Sequence, residues 1–583
     1  MEKKGLNKRL RNVWVCAACT ALTAILFSLG EYWNFTDEIF RESAFLIADL
    51  FLLFGIPYAV YRNEKWNSWI GERIDGFIRF FHTETRLKAV WCLLVFGLLW
   101  LLGPYICRFA GIGNTWIMNL TFGSIGFLMA VCWVFRKKAY EQAHRLFLIA
   151  ALTVGAVYVS ILPAELGYSW DDQIHFDRSV SAATLNGPYY QSDEYMYLSA
   201  WNPAGSLSEE ERAERETLMD ESFASGERKP YNHGDLKHIS IVGYAGYAVG
   251  TVLARGFGLP YTVCFRFSKL FNVMIYSIVI AFGIRRLKYG KVLAAAAGLI
   301  PTGLYMASSY SYDPWVISFL ILGYSYFFGA LQRKDEKLRD DEIMVMLGAF
   351  LIGCLPKAVY VVMMLPLAFM PKEKFVSEKQ YRGYLISGIA VVLMLCAVFM
   401  GPLLLFGAGS GDARGGSDVN AAEQLRFILS EPVSYIKILF RYLTGEFLTY
   451  RNAVEYSTNF AYLGTDRNLG WFIPGIVCAA GLLDKNGSYG RNKTITVMSM
   501  TAFVLTIIAC ASSMYITYTP VRLETINGCQ ARYLLPMIMP AWYINSFDRL
   551  NMNKYGNVLA VCVICIMAVL GILSLGLRVS AGY

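Results

Sequence analysis

Residues 146–178 read LFLIAALTVGAVYVSILPAELGYSWDDQIHFDR, and this stretch contains the transition that decides the fold. Its first half, 146–162, is apolar and long enough to cross the core of a bilayer as a helix, which takes about 17–25 residues. Its end, WDDQIHFDR at 170–178, opens the largest hydrophilic insert of the chain. The pattern predicts a spanning helix that leads into a polar, chemistry-bearing loop at one membrane surface.

The composition of the whole chain is typical of a polytopic membrane protein. Of its 583 residues, 56% are hydrophobic and only 17% are charged, and the mean hydropathy is +0.40. The net charge of +9 comes from Lys and Arg in short loops between apolar segments, which is a positive-inside pattern rather than a nucleic-acid surface. We therefore predict an all-α integral membrane protein whose partner is the lipid bilayer and which binds no nucleic acid.

Apolar runs and the loops between them predict about 13–15 transmembrane helices, with a cytoplasmic N-terminus ahead of the first. The predicted spans are 12–30, 44–61, 88–106, 115–135, 146–162, 262–284, 292–309, 313–331, two short helices within 342–370 that meet near Pro356 and Lys357, 382–406, 470–484, 494–513, 533–547 and 556–577.

The segments between the spans are of three kinds. The basic segment 62–88 predicts an amphipathic helix on the inner surface, with a plain linker as the alternative. The apolar segment 239–256 is predicted to be a juxtamembrane helix, because a full span there would place the basic run at 285–291 outside. Two large outer segments remain, 163–238 and 407–469, and the charged middle of the first predicts a solvated helix. The resulting division of the chain is 1–140, 141–406, 407–469 and 470–583.

Motif searches exclude several classes of function. The sequence has no Walker A loop, no G-x-S-x-G and no H-E-x-x-H, so an ATP-driven pump or a membrane zinc protease is unsupported. The 13 cysteines show no zinc-ligand spacing and are interpreted as small apolar side chains. A disulfide between Cys107 and Cys529, both in predicted outer loops, is the alternative.

The polar residues that could carry chemistry fall on the outer side of this topology. They are Asp171, Asp172, His175 and Arg178 in the first outer loop, Asp313 in a hairpin turn, Lys357 between two short helices, and Arg532 and Tyr533 at the start of a late span. Charges near membrane depth are costly and tend to mark function. For each residue alone, an interfacial anchor or a local ion pair is the competing interpretation, so their convergence on one face is the more informative observation.

Three roles are open for the adjacent carboxylates. One of them could act as a general base on an acceptor hydroxyl. Together with His175 they could bind a divalent cation such as Mg²⁺ or Mn²⁺. Alternatively, Asp171 could simply cap a helix that starts at Asp172. Lys357 and Arg532 suit a phosphate at the membrane surface, and snorkelling to lipid headgroups is their alternative.

The run WDDQIHF resembles the Pro-Asp-Glu-Pro-Ala-His-Phe signature of a bacterial membrane family of unknown function, number 2142 among the domains of unknown function. Asp171, Asp172, His175 and Phe176 match at identical spacing, whereas Trp170 and Gln173 replace the two prolines. Further runs agree in order over roughly 146–547: FRFSKLFN at 265–272, IPTGLYMASSYSYDP at 300–314, LPKAVYVVMMLPL at 355–367 and QARYLLP at 530–536.

This family looks like a branch of the GT-C glycosyltransferases, which take a sugar from a polyprenyl-phosphate donor on the outer face of the membrane. The resemblance implies a GT-C-like core in a bacterial cytoplasmic membrane, a lipid-linked sugar donor and a cell-envelope glycan acceptor. It implies Asp171 as the base, Asp172 as its partner or a metal ligand, and His175 as an orienting group. The residues implied for the substrate and its lipid phosphate are Arg178, Arg266, Asp313, Lys357, Tyr360, Arg532 and Tyr533.

Two other functions remain open at the level of sequence. A transporter or flippase of lipid-linked glycans would also need many spans, but it predicts charged residues through the depth of the membrane. A non-catalytic envelope assembly protein makes no demand on Asp171. The confinement of the polar residues to the outer side favours the transferase.

Overall fold

The computed structural model describes residues 9–10, 12–17, 20, 51–80, 83–183, 189–191, 204, 206–225, 228–230, 239–406, 415–416, 418–484, 493–545 and 553–582. Most of the predicted span at 12–30, and the first part of that at 44–61, lie outside these residues. The rest forms an all-α polytopic membrane protein. Its only described strands are the antiparallel pair β1 (Tyr189–Gln191) and β2 (Arg228–Pro230) in the large insert.

The helices before the second outer segment are α1 (Ile56–Arg62), α2 (Glu64–Phe80), α3 (Thr83–Ala110), α4 (Trp116–Phe135), α5 (Ala143–Ile161), α6 (Asp172–Ala183), α7 (Glu209–Ser225), α8 (Ala245–Gly256), α9 (Tyr261–Arg286), α10 (Lys291–Gly298), α11 (Pro301–Ala307), α12 (Asp313–Gln332), α13 (Asp340–Cys354) and α14 (Glu378–Phe406). Short 3₁₀ segments lie at Ile239–Tyr244, Ala358–Phe369 and Lys372–Lys374, and a π-helical turn lies at Phe51–Gly55.

The remaining helices are α15 (Ala421–Ser430), α16 (Pro432–Tyr442), α17 (Tyr450–Thr458), α18 (Arg467–Gly470), α19 (Phe472–Leu483), α20 (Lys493–Thr517), α21 (Leu535–Asn545) and α22 (Gly556–Ser580). The π-helical turn Leu443–Phe447 and the 3₁₀ segments Ala461–Leu463, Ala531–Leu534 and Asn553–Tyr555 connect them. Among the described residues, eight helices are long and apolar enough to cross a membrane: those of α3, α4, α5, α9, α12, α14, α20 and α22.

One predicted span, 292–309, is wrong as a single helix. The structure breaks it into α10 and α11 at Leu299 and Ile300. Pro301 lacks an N–H and disfavours helical backbone at the residue before it, so the helix ends there. The freed carbonyl of Gly298 accepts a hydrogen bond from the Tyr276 hydroxyl at 3.0 Å, which satisfies a backbone group that lipid cannot.

Several other predictions are confirmed. The segment 342–370 forms α13 and a 3₁₀ helix that meet at Pro356 and Lys357. The segment 239–256 forms a 3₁₀ turn and the 12-residue α8, too short to span a bilayer. A helix also occurs within 62–88, namely α2, and another in the charged middle of the insert, namely α7. The disulfide alternative is wrong, because Cys107 and Cys529 are both free.

The central helices run in directions that give the bundle two distinct ends. α9 and α12 finish together, since the Arg333 guanidinium after α12 donates to the Arg286 carbonyl at 2.6 Å. α5 and α22 begin at that same end, where the Asn557 side chain accepts from the Tyr140 backbone at 3.0 Å. Asp313 therefore lies at the opposite end, because the 20 residues of α12 extend about 30 Å. This alternation agrees with the predicted order of spans.

Close helix packing holds these directions. Gly155 of α5 faces α9, and a Cβ there would lie 2.3 Å from a methyl group of Val273. Small residues allow such close contact between helices. In a membrane this packing matters because the lipid is as apolar as the helix surface and no hydrophobic force drives the helices together. The Tyr158 hydroxyl, one turn further along α5, donates to the Gly571 carbonyl of α22 at 2.8 Å. These contacts fix the helix that leads into the candidate site.

Candidate functional site

The loop between α5 and α6 is held by Asp172. One oxygen of its carboxylate accepts the backbone N–H groups of Gly167, Tyr168 and Ser169 at 2.8, 2.9 and 3.0 Å. The side chain is 3% exposed, and burial raises its pKa while the three N–H donors act to lower it. Asp172 thus shapes the loop, because its carboxylate binds three backbone N–H groups just before the helix.

The same loop is also held from the side by the charged helix α7. Arg212 donates to the Glu165 carboxylate at 3.0 Å, and the Tyr168 hydroxyl donates to the same oxygen at 2.8 Å. Glu165 is nearly buried, so this is more than a surface ion pair. The helix to which sequence assigned no chemistry therefore supports the loop before Asp172.

Asp171 has an unusual backbone conformation. Its φ of 53° is left-handed, which is uncommon outside glycine and is tolerated best by Asp and Asn. Its carbonyl accepts the N–H groups of Ile174 and His175, each at 3.0 Å, so the first turn of α6 closes on it. Unlike Asp172, Asp171 is partly exposed. Such backbone strain in ordered structure is often found at functional sites.

His175 lies one turn into α6 and is 8% exposed. Its Nδ1 forms a 2.6 Å hydrogen bond with the Tyr244 hydroxyl, and its ring meets Tyr312 edge-on at 5.2 Å between centroids. Burial lowers its pKa to about 3, although the Asp313 carboxylate acts in the opposite direction. His175 is therefore a neutral imidazole at physiological pH, held in one orientation by Tyr244.

Asp313 is the centre of the charged cluster. Its two carboxylate oxygens lie 3.6 Å from Lys357 Nζ and 3.4 Å from Arg532 Nε. All three side chains are at least 85% buried. Two cations against one carboxylate leave the cluster with one surplus positive charge beside a neutral His175.

Aromatic rings surround the two cations. The Arg532 guanidinium lies 4.1 Å from the centre of the Trp170 ring, and Lys357 Nζ lies 3.4 Å from that of Tyr533. The Tyr360 hydroxyl donates to the Tyr533 carbonyl at 2.7 Å and so fixes the chain beside Arg532. These contacts connect Trp170, at the start of the signature run, with the ends of distant segments.

Polar atoms without a partner mark the same region. Within the described part of the chain, Arg532 Nε and the side-chain oxygens of Gln530 and Gln173 are buried without a hydrogen bond. Arg532 thus meets Asp313 within ion-pair distance but without hydrogen-bond geometry. Buried polar groups are nearly always hydrogen-bonded, so these orphan atoms are unusual and are candidates for contact with a polar ligand.

The structure brings most of the predicted site residues together, with one exception. Arg178 belongs to the site, because it lies close enough to His175 and Tyr244 to act on both side chains electrostatically. Arg266, however, lies apart and pairs with Glu216 of α7 at 3.7 Å. The buried cation of its run is Lys269, three residues later, which acts electrostatically on Asp172.

The predicted metal set does not fit the geometry. Among the described residues, no group of three His, Cys, Asp or Glu side chains is arranged to hold a metal ion. The reason is local, because one oxygen of Asp172 is turned into the loop and His175 Nδ1 is bonded to Tyr244. No chemical step is therefore derived through a metal held by Asp171, Asp172 and His175.

Sequence reasoning missed three contributors to the site. Trp170 replaces a proline of the signature and supplies the ring under Arg532. Tyr244 lies in the segment interpreted as a juxtamembrane helix and orients His175. Lys269 lies in the run FRFSKLFN of α9, about one helical turn after Arg266. Nothing in the sequence separates these two cations, because only the fold buries Lys269 and pairs Arg266 with Glu216.

Comparison with known families bears on the whole site. A family model described as "Predicted membrane protein (DUF2142)" matches residues 152–541. The chain belongs to the DUF2142 family. The matched region of this DUF2142 protein begins inside α5, ends inside α21 and includes every residue of the site above. No curated protein and no solved structure matched the chain.

Proposed function

We propose that this protein is a membrane glycosyltransferase of GT-C type, moving a sugar from a polyprenyl-phosphate donor to a cell-envelope glycan acceptor. The observation that supports this proposal most strongly is a cluster in which Lys357 and Arg532 both contact Asp313, beside the helix of the signature run. This arrangement has the charge, the enclosure and the vacant hydrogen-bonding atoms that a lipid-linked phosphate requires.

The surplus positive charge is the first argument for a phosphate. A phosphate diester brings one negative charge, which would balance Asp313, Lys357 and Arg532 to neutrality. Guanidinium groups bind phosphate oxygens with directed N–H groups, and an ammonium group supplies a compact charge. Arg532 Nε has its N–H free of hydrogen bonds among the described residues, so it can donate to the donor phosphate without giving up an existing bond.

A comparison of the carboxylates supports Asp171 as the base. Asp172 accepts three backbone N–H groups, Glu165 binds Tyr168 and Arg212, and Asp313 faces two cations. All three are also buried, whereas a base must be reachable by the acceptor hydroxyl. Asp171 is partly exposed at the turn that presents α6, and Trp170 beside it contacts Arg532.

The reaction follows as a single displacement. The acceptor hydroxyl oxygen attacks the anomeric carbon and forms the new glycosidic bond while its proton passes to the Asp171 carboxylate. The bond between the anomeric carbon and the phosphate oxygen breaks, and polyprenyl phosphate leaves with the electron pair. Lys357 and Arg532 stabilise the charge that develops on this leaving group, and the configuration at the anomeric carbon inverts.

The test uses the full chain in proteoliposomes with a panel of polyprenyl-phosphate hexoses. Mass spectrometry follows release of polyprenyl phosphate, with membrane glycan extract as acceptor. We expect release from at least one donor, and Arg532→Gln should raise the KM for that donor at least about tenfold, because a charge-assisted contact is lost.

The matched control is Arg522→Gln in the same loop, since that side chain is 64% exposed and pairs with Glu431 at 3.3 Å. It should leave KM unchanged. If no donor is cleaved, or if labelled donor crosses the bilayer intact, the transferase proposal is wrong. The second of these results would identify a transporter or flippase of lipid-linked glycans.

A further inference from the structure

A second group of charged side chains lies at the other end of the bundle from Asp313. Here Arg73 of α2, Arg145 of α5, Arg285 of α9 and Lys291 of α10 surround His144, and these residues are called the basic cluster. All four cations lie close enough to His144 to act on its imidazole electrostatically. They come from four helices and from positions up to 218 residues apart in sequence, so only the fold brings them together.

The contacts between helices are consistent with this convergence. α5 packs against α9 and α10, and α9 packs against α10, so their ends meet at this level. Lys291 Nζ lies 5.8 Å from the centre of the Tyr140 ring, just before α5. Burial lowers the pKa of Arg73. The nearby Arg285 and Arg145 guanidinium groups lower it further, and Arg285 has the larger effect of the two.

Two carboxylates, Glu72 and Asp484, lie near the basic cluster. Glu72 acts on Arg73 from the adjacent position of α2. Asp484 accepts from the Tyr140 hydroxyl at 2.8 Å and from the N–H groups of Val292 and Leu293 at 2.7 and 3.1 Å. Asp484 therefore caps α10. The Asp484 carboxylate is therefore already engaged at the start of this helix.

Two further observations point to a ligand. His144 Nδ1 is buried and has no hydrogen-bond partner among the described residues. Gln142, which precedes the 19-residue α5, makes no side-chain hydrogen bond to the helix start within the described structure. The start of a helix also carries a partial positive charge, which favours an anion.

We propose that the basic cluster binds a phosphate group, and that His144, Arg145 and Arg285 are its principal contacts. A phosphate offers several acceptor oxygens and up to two negative charges, which matches neighbouring guanidinium groups beside a buried ring nitrogen that has no partner among the described residues. This site is separate from the proposed active site, since it lies at the far end of α12 from Asp313.

The surroundings identify a lipid headgroup as one source of this phosphate. His144 and Arg145 begin one candidate span and Arg285 ends another, so the cluster lies at the level where headgroups meet the hydrocarbon. Arg73 lies 5.0 Å from the ring centre of Trp69, which is 53% exposed, and interfacial Trp is typical at headgroup depth. A soluble phosphate compound shares the chemistry and forms a second arm of the test.

The experiment measures binding to the purified full chain in neutral detergent. Native mass spectrometry compares phosphatidylglycerol, zwitterionic phosphatidylcholine and soluble glycerol 3-phosphate. We expect a retained phosphatidylglycerol or glycerol 3-phosphate, with Arg145→Gln combined with Arg285→Gln lowering its affinity at least about tenfold. Binding of the lipid alone identifies the headgroup as the source, and equal binding of glycerol 3-phosphate identifies a soluble ligand.

The matched control removes the same charge nearby. Lys137→Gln combined with Lys138→Gln changes two exposed residues between α4 and α5 and should keep wild-type binding. An equal loss in both double variants, or equal binding of both phospholipids without glycerol 3-phosphate binding, would overturn the proposal. Thermal unfolding of each ligand-free variant confirms that it is folded, so lost binding is not mistaken for lost structure.

Discussion

The two ends of the helix bundle use similar basic side chains in opposite arrangements. At one end, Lys357 and Arg532 are buried around Asp313, with ion-pair distances of 3.6 and 3.4 Å. At the other, the cations of the basic cluster face one another around His144 and are mostly exposed. The first arrangement is preorganised by an internal carboxylate, whereas the second is the proposed site for an external anion. Basic residues at both ends of a bundle therefore do not indicate the same role.

The largest expected effect comes from removing the carboxylate that distinguishes the two ends. Asp313→Ala leaves two buried cations unpaired and should destabilise the protein by about 3–5 kcal/mol. The control is Asp341→Ala, which breaks a pair with Arg339 whose side chains are 62% and 67% exposed, and should cost less than about 1 kcal/mol. Thermal unfolding in detergent measures both, and equal costs would show that the Asp313 cluster is not a buried network.

The second prediction separates chemistry from folding at the Asp313 end. Asp171→Asn should lower the rate of sugar transfer at least about 100-fold, as expected for loss of a general base, and leave thermal stability unchanged. Asp177→Asn, an acidic residue on the same helix, serves as the matched control and should keep the rate. A transfer rate that survives Asp171→Asn would remove Asp171 from the mechanism.

The third prediction concerns the neighbouring carboxylate. Asp172→Ala should destabilise the protein by about 1–3 kcal/mol, because three buried N–H groups lose their acceptor. Asp172→Asn keeps one acceptor oxygen and should cost less. If both variants unfold at the wild-type temperature, the loop does not depend on this carboxylate, and the contrast between Asp171 and Asp172 fails.

The fourth prediction is a pH dependence that originates at the Asp313 end. His175 has a folded pKa of about 3 against an ordinary value of 6.5. The unfolded chain therefore takes up this proton first, so the stability due to neutral His175 is complete above pH 6.5 and is lost as pH falls toward 3. The slope is about 1.4 kcal/mol per pH unit.

The measurement is the difference in unfolding temperature between wild type and His175→Gln from pH 7.5 to 4.5. That difference should shrink or reverse as pH falls, because the variant lacks the titrating group. Parallel pH curves for the two proteins would show that the imidazole is not held neutral by burial.

The smallest effect is expected at the basic cluster. Arg285→Gln should stabilise the ligand-free protein by roughly 0.2–0.5 kcal/mol at low salt, because one like-charge repulsion disappears. The gain should vanish at high salt, where exposed charges are screened. A destabilised variant would mean that Arg285 already forms an ion pair. The basic cluster would then resemble the Asp313 end, where the cations are paired within the protein.

Part of the candidate site was readable from the sequence because its signals were local. The sequence allowed a helix that starts at Asp172, directly after Asp171 and one turn before His175, and the basic flanks of 342–370 required a turn near Lys357. The roles within the site were not readable. That Asp172 binds the loop while Arg266 pairs with Glu216 depends on which way each side chain points in three dimensions.

The sequence by itself determined the class of this protein, the family to which it belongs and the eight described helices that are long and apolar enough to cross a membrane. These properties can be read from apolar runs and short motifs, because a single stretch of about 20 consecutive residues is enough to form a spanning helix. Only the tertiary structure decided which charges meet. Asp313, Lys357 and Arg532 lie 44 and 219 residues apart along the chain, and so no local pattern encodes their pairing. The packing of α5, α9, α12 and their neighbours does so, by fixing where each helix ends.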